Sequence, residues 1–304
     1  MAEANSGGTS RLTIDKSGLE YKKWKSGAAF PVSSGVCNMA SYCNNAFDLH
    51  WHDGPELSVV IDGSMEYFVN DKRYVMEKGD CVFVHSGAMH AGHALGSEGC
   101  RYAVVSFLTD AIDGALHEEL AEKYFGGPMD SRTLCSMFFP ASSGATDIAD
   151  FCMNIYHTIR EKAEGWELTV KGLLCYLWGA LFREAKKNDV AVSENGASVA
   201  RIKRAIRYMK EQYASKIGLD DIAAACNLSK SEFCRCFKRI TRQTAFSYLM
   251  ELRIRRSLSL LENEGMSVTE AALATGFSSS SYYTEVFRRY MGCTPRDYLK
   301  RRKT

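Results

Sequence analysis

The C-terminal third of the chain repeats itself. Phe237-Lys238-Arg239-Ile240 returns as Phe287-Arg288-Arg289-Tyr290, and Thr244-Ala245-Phe246-Ser247-Tyr248-Leu249 returns as Thr294-Pro295-Arg296-Asp297-Tyr298-Leu299. Upstream the offset falls by one residue, so Leu219, Asp221 and Ala223 match Val268, Glu270 and Ala272. A repeat of this period means that each copy is one supersecondary unit. In the second copy Ser267 and Glu270 have the spacing of a capping box, which starts a helix. Gly276 ends that helix, because a residue without Cβ accepts the left-handed conformation of a sharp turn. A second helix runs to Tyr290, with Tyr283, Val286, Phe287 and Tyr290 on one face and Ser280, Ser281, Thr284, Glu285, Arg288 and Arg289 on the other. Thr294-Pro295 then opens a third. The first copy has a capping box of its own at Ser229 and Glu232. A long helix from Phe246 to Leu261 joins the copies and carries Arg253, Arg255 and Arg256, side chains suited to phosphate, to solvent or to an ion pair with Glu251. Ile202, Ala205, Ile206, Met209 and Tyr213 mark one more helix ahead of the repeat.

Two turned helix pairs with basic outward faces are a DNA-reading arrangement. Ala223, Leu228, Ser229, Phe233, Phe237 and Leu249 in the first copy, and Ala272, Gly276-Phe277-Ser278, Ser281-Tyr282, Val286-Phe287 and Thr294-Pro295 in the second, resemble the DNA-binding domain of the AraC/XylS family of bacterial transcription regulators. The resemblance implies recognition helices at Ser229 to Ile240 and Ser279 to Tyr290, entering the major groove by their N-terminal turns. Ser231, Cys234 and Arg235 would then face bases from the first head, and Ser280, Ser281, Tyr282, Thr284 and Glu285 from the second. Lys238 and Arg288 would take phosphates. Arg235 is the best placed for a bidentate contact to guanine. Glu285 departs from the basic residue common in the family; it either accepts from cytosine N4 or weakens backbone affinity. Ala245 stands where the family usually has proline.

Charge supports a split function. Residues 1 to 197 carry 17 basic and 26 acidic side chains, a balance of −9, and the remainder carry 21 and 10, a balance of +11. A basic domain after an acidic one is the footprint of a DNA binder joined to something else. The first ten residues lack a basic start and an apolar core, and the longest apolar run, near Leu173 to Phe182, is short of the roughly twenty residues of a membrane span. The expectation is a cytoplasmic protein without membrane contact. Eleven cysteines without CxxC or zinc-finger spacing read as reduced thiols.

Residues 30 to 110 are rich in β-branched and aromatic side chains, punctuated at Asp62-Gly63, Asn70-Asp71 and Lys78-Gly79 as hairpins would be. His50-x-His52, then Glu56 and Gly63, followed by Gly79-Asp80, Gly87 and His90, resemble the two motifs of a cupin, a double-sheet jelly roll. His85 stands where that pattern expects proline. In regulators of the resembled family such a barrel binds the effector. His50, His52, Glu56 and His90 form an N/N/O/N set that suits zinc, iron, nickel or manganese and that metal-binding cupins use as ligands. The same residues, with Trp51, Tyr67 and His85, also make a neutral polar and aromatic pocket for a small hydroxylated or aromatic effector. The sequence favours the organic effector, with no cofactor, over a divalent metal.

Ile148, Phe151, Cys152, Ile155 and Ile159, then Val170, Leu173, Leu174, Leu177 and Leu181, follow helical spacing on either side of Glu164-Gly165 and predict a helical hairpin. Tyr176 and Trp178 add apolar surface beside the leucines, which suggests a subunit interface, and helices at this place dimerise in the resembled family. The expected fold class is α+β. It comprises a cupin-like effector barrel over 1–140, a dimerisation hairpin over 141–190, a linker over 191–198 and an all-α double helix-turn-helix domain over 199–304. The expected function is a ligand-responsive transcription regulator, more an activator than a repressor. Its partners would be promoter DNA, a small effector (a sugar or an aromatic compound), a second copy of the chain and RNA polymerase. Two alternatives remain: a metal-dependent cupin enzyme of isomerase or dioxygenase type fused to a DNA-binding module, and a constitutive DNA binder whose barrel only assembles the dimer.

Overall fold

The computed structural model describes residues 30–42, 45–96, 99–114, 116–131, 134–144, 146–187, 196–263 and 265–303; most of the expected linker and the first twenty-nine residues lie outside them. The described chain divides into two compact units, with the boundary at Gly196.

The described residues of the first unit form nine strands, β1 (Val32–Asn38), β2 (Ala46–His50), β3 (Glu56–Gly63), β4 (Met65–Val69), β5 (Lys72–Met76), β6 (Cys81–Val84), β7 (His90–Ala94), β8 (Cys100–Phe107) and β9 (Ser136–Phe139). They form two antiparallel sheets, β1-β8-β3-β6-β9 and β2-β7-β4-β5. Side-chain alternation explains the near-continuous apolar runs of the first sheet, which is covered on both faces. Leu57, Val59, Cys81, Phe83, Val105 and Phe107 join the core under the helices, while Val60, Val82, Val84 and Tyr102 join Phe47, Met65, Tyr67 and Val69 in the barrel interior.

Only one of the three expected hairpin points closes a hairpin. Asn70, in the left-handed region at φ 50°, joins β4 to β5 within one sheet. Gly63 and Gly79 also have positive φ, but each carries the chain from one sheet to the other. Turn chemistry specifies a reversal and not the partner of the next strand, so sequence could not separate these cases.

Short helical segments lie between β8 and the hairpin, including α1 (Asp110–Asp113) and α2 (Glu118–Phe125). The hairpin itself is α3 (Thr146–Glu161) and α4 (Trp166–Lys187). Val170, Leu174, Leu177 and Leu181 are fully buried against the first sheet, and Trp178 packs with them. The leucine stripe and Trp178 therefore belong to the core of their own unit. The surplus apolar surface of α4 is Leu168 and Tyr176, at 77% and 72% exposure, with Tyr176 stacked beside Phe151.

The second unit is all helical: α5 (Gly196–Gln212), α6 (Leu219–Ala225), α7 (Lys230–Thr241), α8 (Ala245–Asn263), α9 (Val268–Ala274), α10 (Ser280–Met291) and α11 (Pro295–Lys303). Helix α5 starts earlier than the expected 201–213, because Val199 lies three residues before Ile202 and extends its buried face. The sequence repeat is also a packing repeat. Phe237 meets Tyr248 at 5.8 Å between ring centroids, and Phe287 meets Tyr298 at 5.8 Å. No helix among the described residues is long and apolar enough to cross a membrane.

Candidate nucleic-acid interface and buried histidine centre

Each recognition helix is started by a serine. Ser229 Oγ accepts from Glu232 N at 3.3 Å ahead of α7, and Ser279 Oγ accepts from Tyr282 N at 3.2 Å ahead of α10. The full capping box lies elsewhere, at Ser267 and Glu270, whose carboxylate accepts from Ser267 N at 2.8 Å. The turn before α10 is set by Gly276 (φ 83°); the matching position before α7 is Asn227 (φ 55°), a residue tolerated in that region and not singled out by sequence reading.

Phe233, Cys236, Phe237 and Ile240 bury one face of α7, leaving Ser231, Arg235 and Lys238 exposed and Cys234 half-buried. On α10, Tyr283, Val286 and Phe287 point inward. Ser281, Tyr282, Glu285 and Arg288 are exposed, and Ser280 and Thr284 are half-buried. The expected base-facing residues thus share the outward surface of their helices. The two surfaces differ in chemistry. Glu285 pairs with Arg289 at 3.0 Å, Thr284 Oγ1 donates to Ser280 O at 2.8 Å, and Tyr282 Oη donates to Met250 Sδ at 3.9 Å.

The arginines of α8 do not act alike. Arg253 is buried, its Nε donating to Tyr213 O and its Nη2 to Ser215 O, both at 2.8 Å, so it fastens the segment after α5 and cannot reach phosphate. Arg255 pairs with Glu251, and Arg256 lies 5.8 Å from the Tyr213 ring. Sequence periodicity placed all three on one helix without showing which one faces a loop.

In the barrel, β2 and the residues after it supply His50 and His52, the start of β3 supplies Glu56, and β7 supplies His90; all four are buried. The ligand nitrogens of the three histidines lie within 4.8 Å of one another. Each ring is oriented by a backbone carbonyl: His50 Nδ1 on Asp48 O at 2.6 Å, His52 Nδ1 on Gly54 O at 2.5 Å, and His90 Nδ1 on Ala88 O at 3.0 Å. A carbonyl only accepts, so each Nδ1 carries a proton, and in the neutral imidazole the lone pair is left on Nε2. Glu56 stands beside them, with Oε2 at 3.2 Å from His52 Nε2 and Oε1 at 3.8 Å from His90 Nε2. Ser106 Oγ donates to Glu56 Oε2 at 3.2 Å, and Ser58 Oγ and Tyr67 Oη each lie 3.4 Å from Oε1. Tyr67 also stacks on His90 at 6.0 Å. Phe47 fills the adjoining space, 5.7 Å from His50 and 5.4 Å from Tyr67, and it does so because Gly92 opposite has no side chain: a Cβ there would sit 2.6 Å from the phenyl ring.

The Nε2 lone pairs of His52 and His90 face the Glu56 carboxylate, with the His50 ring beside them, and such groups repel unless a proton or cation lies between them. Imidazoles fixed through Nδ1 by carbonyls are also the arrangement that supports metal ligands. Zinc–nitrogen bonds of about 2.1 Å hold tetrahedral ligand atoms roughly 3.4 Å apart, so three histidine nitrogens within 4.8 Å of one another would have to close by at most about 1.4 Å around a divalent ion.

Of the other two residues expected here, Trp51 is buried between the two histidines in sequence. His85 is not in the centre. It follows the parity of Cys81 and Phe83 on β6 and faces the helices, 6.0 Å from Trp178, where Nε2 donates to Met129 O at 2.8 Å and Nδ1 accepts from Ser86 N at 2.7 Å. Burial lowers its pKa to about 4, so the ring is neutral near pH 7.

Comparison with known proteins agrees with these two units. A profile of the AraC-like ligand binding domain matches residues 35–177, and a helix-turn-helix domain profile matches residues 222–301. The chain is 30% identical over 271 residues to the uncharacterized HTH-type transcriptional regulator YdeC of Bacillus subtilis, covering 89% of this chain and 92% of that one. It is 22% identical over 266 residues to the melibiose operon regulatory protein of Escherichia coli K12, with 83% of each chain covered. Among solved structures, the chain is similar to ToxT of Vibrio cholerae O395 at 13% identity, covering 88% of this chain and 97% of that one with a TM-score of 0.44. The relatives are transcription regulators, which leaves the reading as a metal-dependent enzyme without support. With a ligand-binding domain ahead of a helix-turn-helix domain and a regulator matched along nearly its whole length, the chain belongs to the AraC family of transcription regulators.

Proposed function

We propose that this regulator binds promoter DNA as a homodimer in the cytoplasm, activates transcription through RNA polymerase, and is switched by a ligand held in its first unit. The observation that carries the reading is the pairing of two serine-capped recognition helices with a separate unit that buries four convergent ligating side chains. On α7, Arg235 reads a base and Lys238 a phosphate; on α10, Arg288 takes a phosphate and Ser281, Tyr282 and Glu285 face the groove. Arg235→Ala should cost about 1–3 kcal/mol at one base pair, whereas Lys238→Ala or Arg288→Ala should weaken all sequences alike and lower the salt slope by about one. Fluorescence anisotropy on a site selected from randomised DNA, with scrambled DNA beside it, checks this. Equal loss on both DNAs for Arg235→Ala would remove its base-reading role.

For the barrel centre the geometry favours a divalent metal over the sugar or aromatic effector that the sequence favours. The carrying observation is the Nδ1 contact of all three histidines with backbone carbonyls, together with the packing of Phe47 against the His50 and Tyr67 rings. His50, His52 and His90 would hold the ion through Nε2 and Glu56 through its carboxylate; the ion would supply a positive charge that locks β2, β3 and β7 together. Protein purified without a metal-binding tag should carry about one ion per chain. His90→Ala should lose it, since three ligands bind far more weakly and metal binding couples to folding. Metal content by elemental analysis, with melting before and after chelation, is the measurement. Metal-free protein whose melting is indifferent to added zinc, nickel, iron or manganese returns the centre to an organic effector.

A further inference from the structure

Helix α5 carries a charged face that the two recognition helices do not account for. Val199, Ile202, Ala205, Ile206 and Met209 bury one side of it, which turns Ala200, Arg204, Arg207 and Glu211 outward on the other. Arg201 flanks that face, half-buried. At i, i+3 and i+6 the three arginines form one stripe about 9 Å long. Among the described residues none of the three stands in an ion pair, and Glu211, one turn beyond Arg207, does not pair with it. The helix that precedes the second head, α8, uses its arginines differently. There Arg253 holds Tyr213 O and Ser215 O, Arg255 pairs with Glu251, and Arg256 lies over the Tyr213 ring.

The stripe also lies at the groove-reading end of the first head. Cys226 closes the C-terminus of α6 and begins the turn into α7. Burial pushes the Cys226 thiol pKa up and the charges of Arg204 and Arg201 pull against it, so both guanidinium groups are neighbours of that turn. A recognition helix enters its groove by the N-terminal turn, which for α7 follows directly at Ser229. We propose that α5 is a third DNA-contacting element, in which Arg201, Arg204 and Arg207 take the phosphates beside the groove that α7 reads. Phosphates of one strand follow one another about every 3.4 Å along the duplex, so a stripe of about 9 Å matches two or three of them. Such contacts add affinity and fix register without reading sequence. They make the first head the stronger anchor, since on α10 Arg289 is engaged by Glu285.

This inference rests on α7 being the groove-reading helix, and the test separates the two. Full-length protein is titrated by anisotropy onto a selected site and onto scrambled DNA over a range of salt. The triple variant Arg201→Ala, Arg204→Ala, Arg207→Ala should weaken both DNAs alike and lower the slope of log affinity against log salt by about two. The corresponding triple lysine variant should keep most of the slope, because lysine serves phosphate as a point charge. Glu211→Lys, on the same exposed face, should tighten both DNAs and raise the slope by about one. It removes no buried contact, so it tests the face even where the triple variant loses stability. Hydroxyl-radical footprinting of the triple alanine variant should lose protection in one half of the site only. Unchanged affinity and slope, a loss confined to the selected DNA, or a Glu211→Lys protein that binds as the parent does overturns the proposal. A triple alanine variant that binds DNA normally and fails to activate transcription also overturns it, and gives the stripe to an acidic protein partner. Equal loss on both DNAs for Arg235→Ala, with the α5 variants behaving as expected, would remove the base reading of α7 and leave the phosphate contact standing.

Discussion

Gly276→Ala should abolish DNA binding by the second head, and the matched substitution Gly292→Ala should not. Both glycines have positive φ, 83° and 68°, and alanine in that region costs about 1–2 kcal/mol at either position. They differ in what a Cβ would meet. At Gly292 there is open space. At Gly276 the Cβ would lie 2.6 Å from Tyr213 O and 2.9 Å from Ala214 O, both backbone atoms. Tyr213 O has no room to retreat, because Arg253, buried, donates to it at 2.8 Å and holds Ser215 O as well. The turn must open, and α10 must move with it. The expected loss is several kcal/mol at Gly276 against about 1 kcal/mol at Gly292, an appreciable part of the roughly 5–15 kcal/mol that holds a domain folded. Anisotropy on a selected DNA site and melting of the second unit measure both. Similar effects for the two substitutions would mean that the turn yields freely and that the Arg253 clamp does not fix it.

That pair also shows what kind of information the sequence carries. Gly276, Ser267 with Glu270, and the apolar spacing of α7 and α10 were legible because caps, turns and periodicity act within a few residues. The repeat raised them to a fold, and the resemblance raised the fold to a family. Contacts across the chain were not legible. Nothing local distinguishes Arg253, which fastens Tyr213 and Ser215, from Arg255, which pairs with Glu251. The same holds for turns: Asn70 and Gly79 are equally turn-like, yet one joins neighbours in a sheet and the other changes sheets. At the histidine centre the grouping of His50, His52, Glu56 and His90 was readable from their motif. The carbonyls that fix their tautomers, and Gly92 making room for Phe47, appear only in three dimensions. His85 sat close in sequence to the centre and was grouped with it; strand parity, which depends on where β6 ends, sends it to the other side.

The helical hairpin gives the second large effect, and it reverses the obvious experiment. Its leucine stripe invites a charge at Leu177 or Leu181 to break a dimer, but both are fully buried against the first sheet of their own chain. Leu177→Glu removes a core side chain, worth about 2–5 kcal/mol, and buries a carboxylate with no partner, a further penalty of several kcal/mol. The first unit should unfold, so a monomer produced this way would say nothing about the seam. The informative positions are on the opposite face of α4, at Leu168 and Tyr176. Tyr176→Glu and Leu168→Glu should leave the melting of the first unit within about 1 kcal/mol of the parent, since exposed substitutions rarely cost more. If this face is the dimer seam, the pair should shift the protein from dimer to monomer in sedimentation over a range of concentrations. They should weaken binding to a two-protomer DNA site while leaving a single-protomer site unaffected. A folded Leu177→Glu protein would show that α4 can lift from the sheet. A double Leu168→Glu, Tyr176→Glu protein that remains dimeric would place the seam on another element.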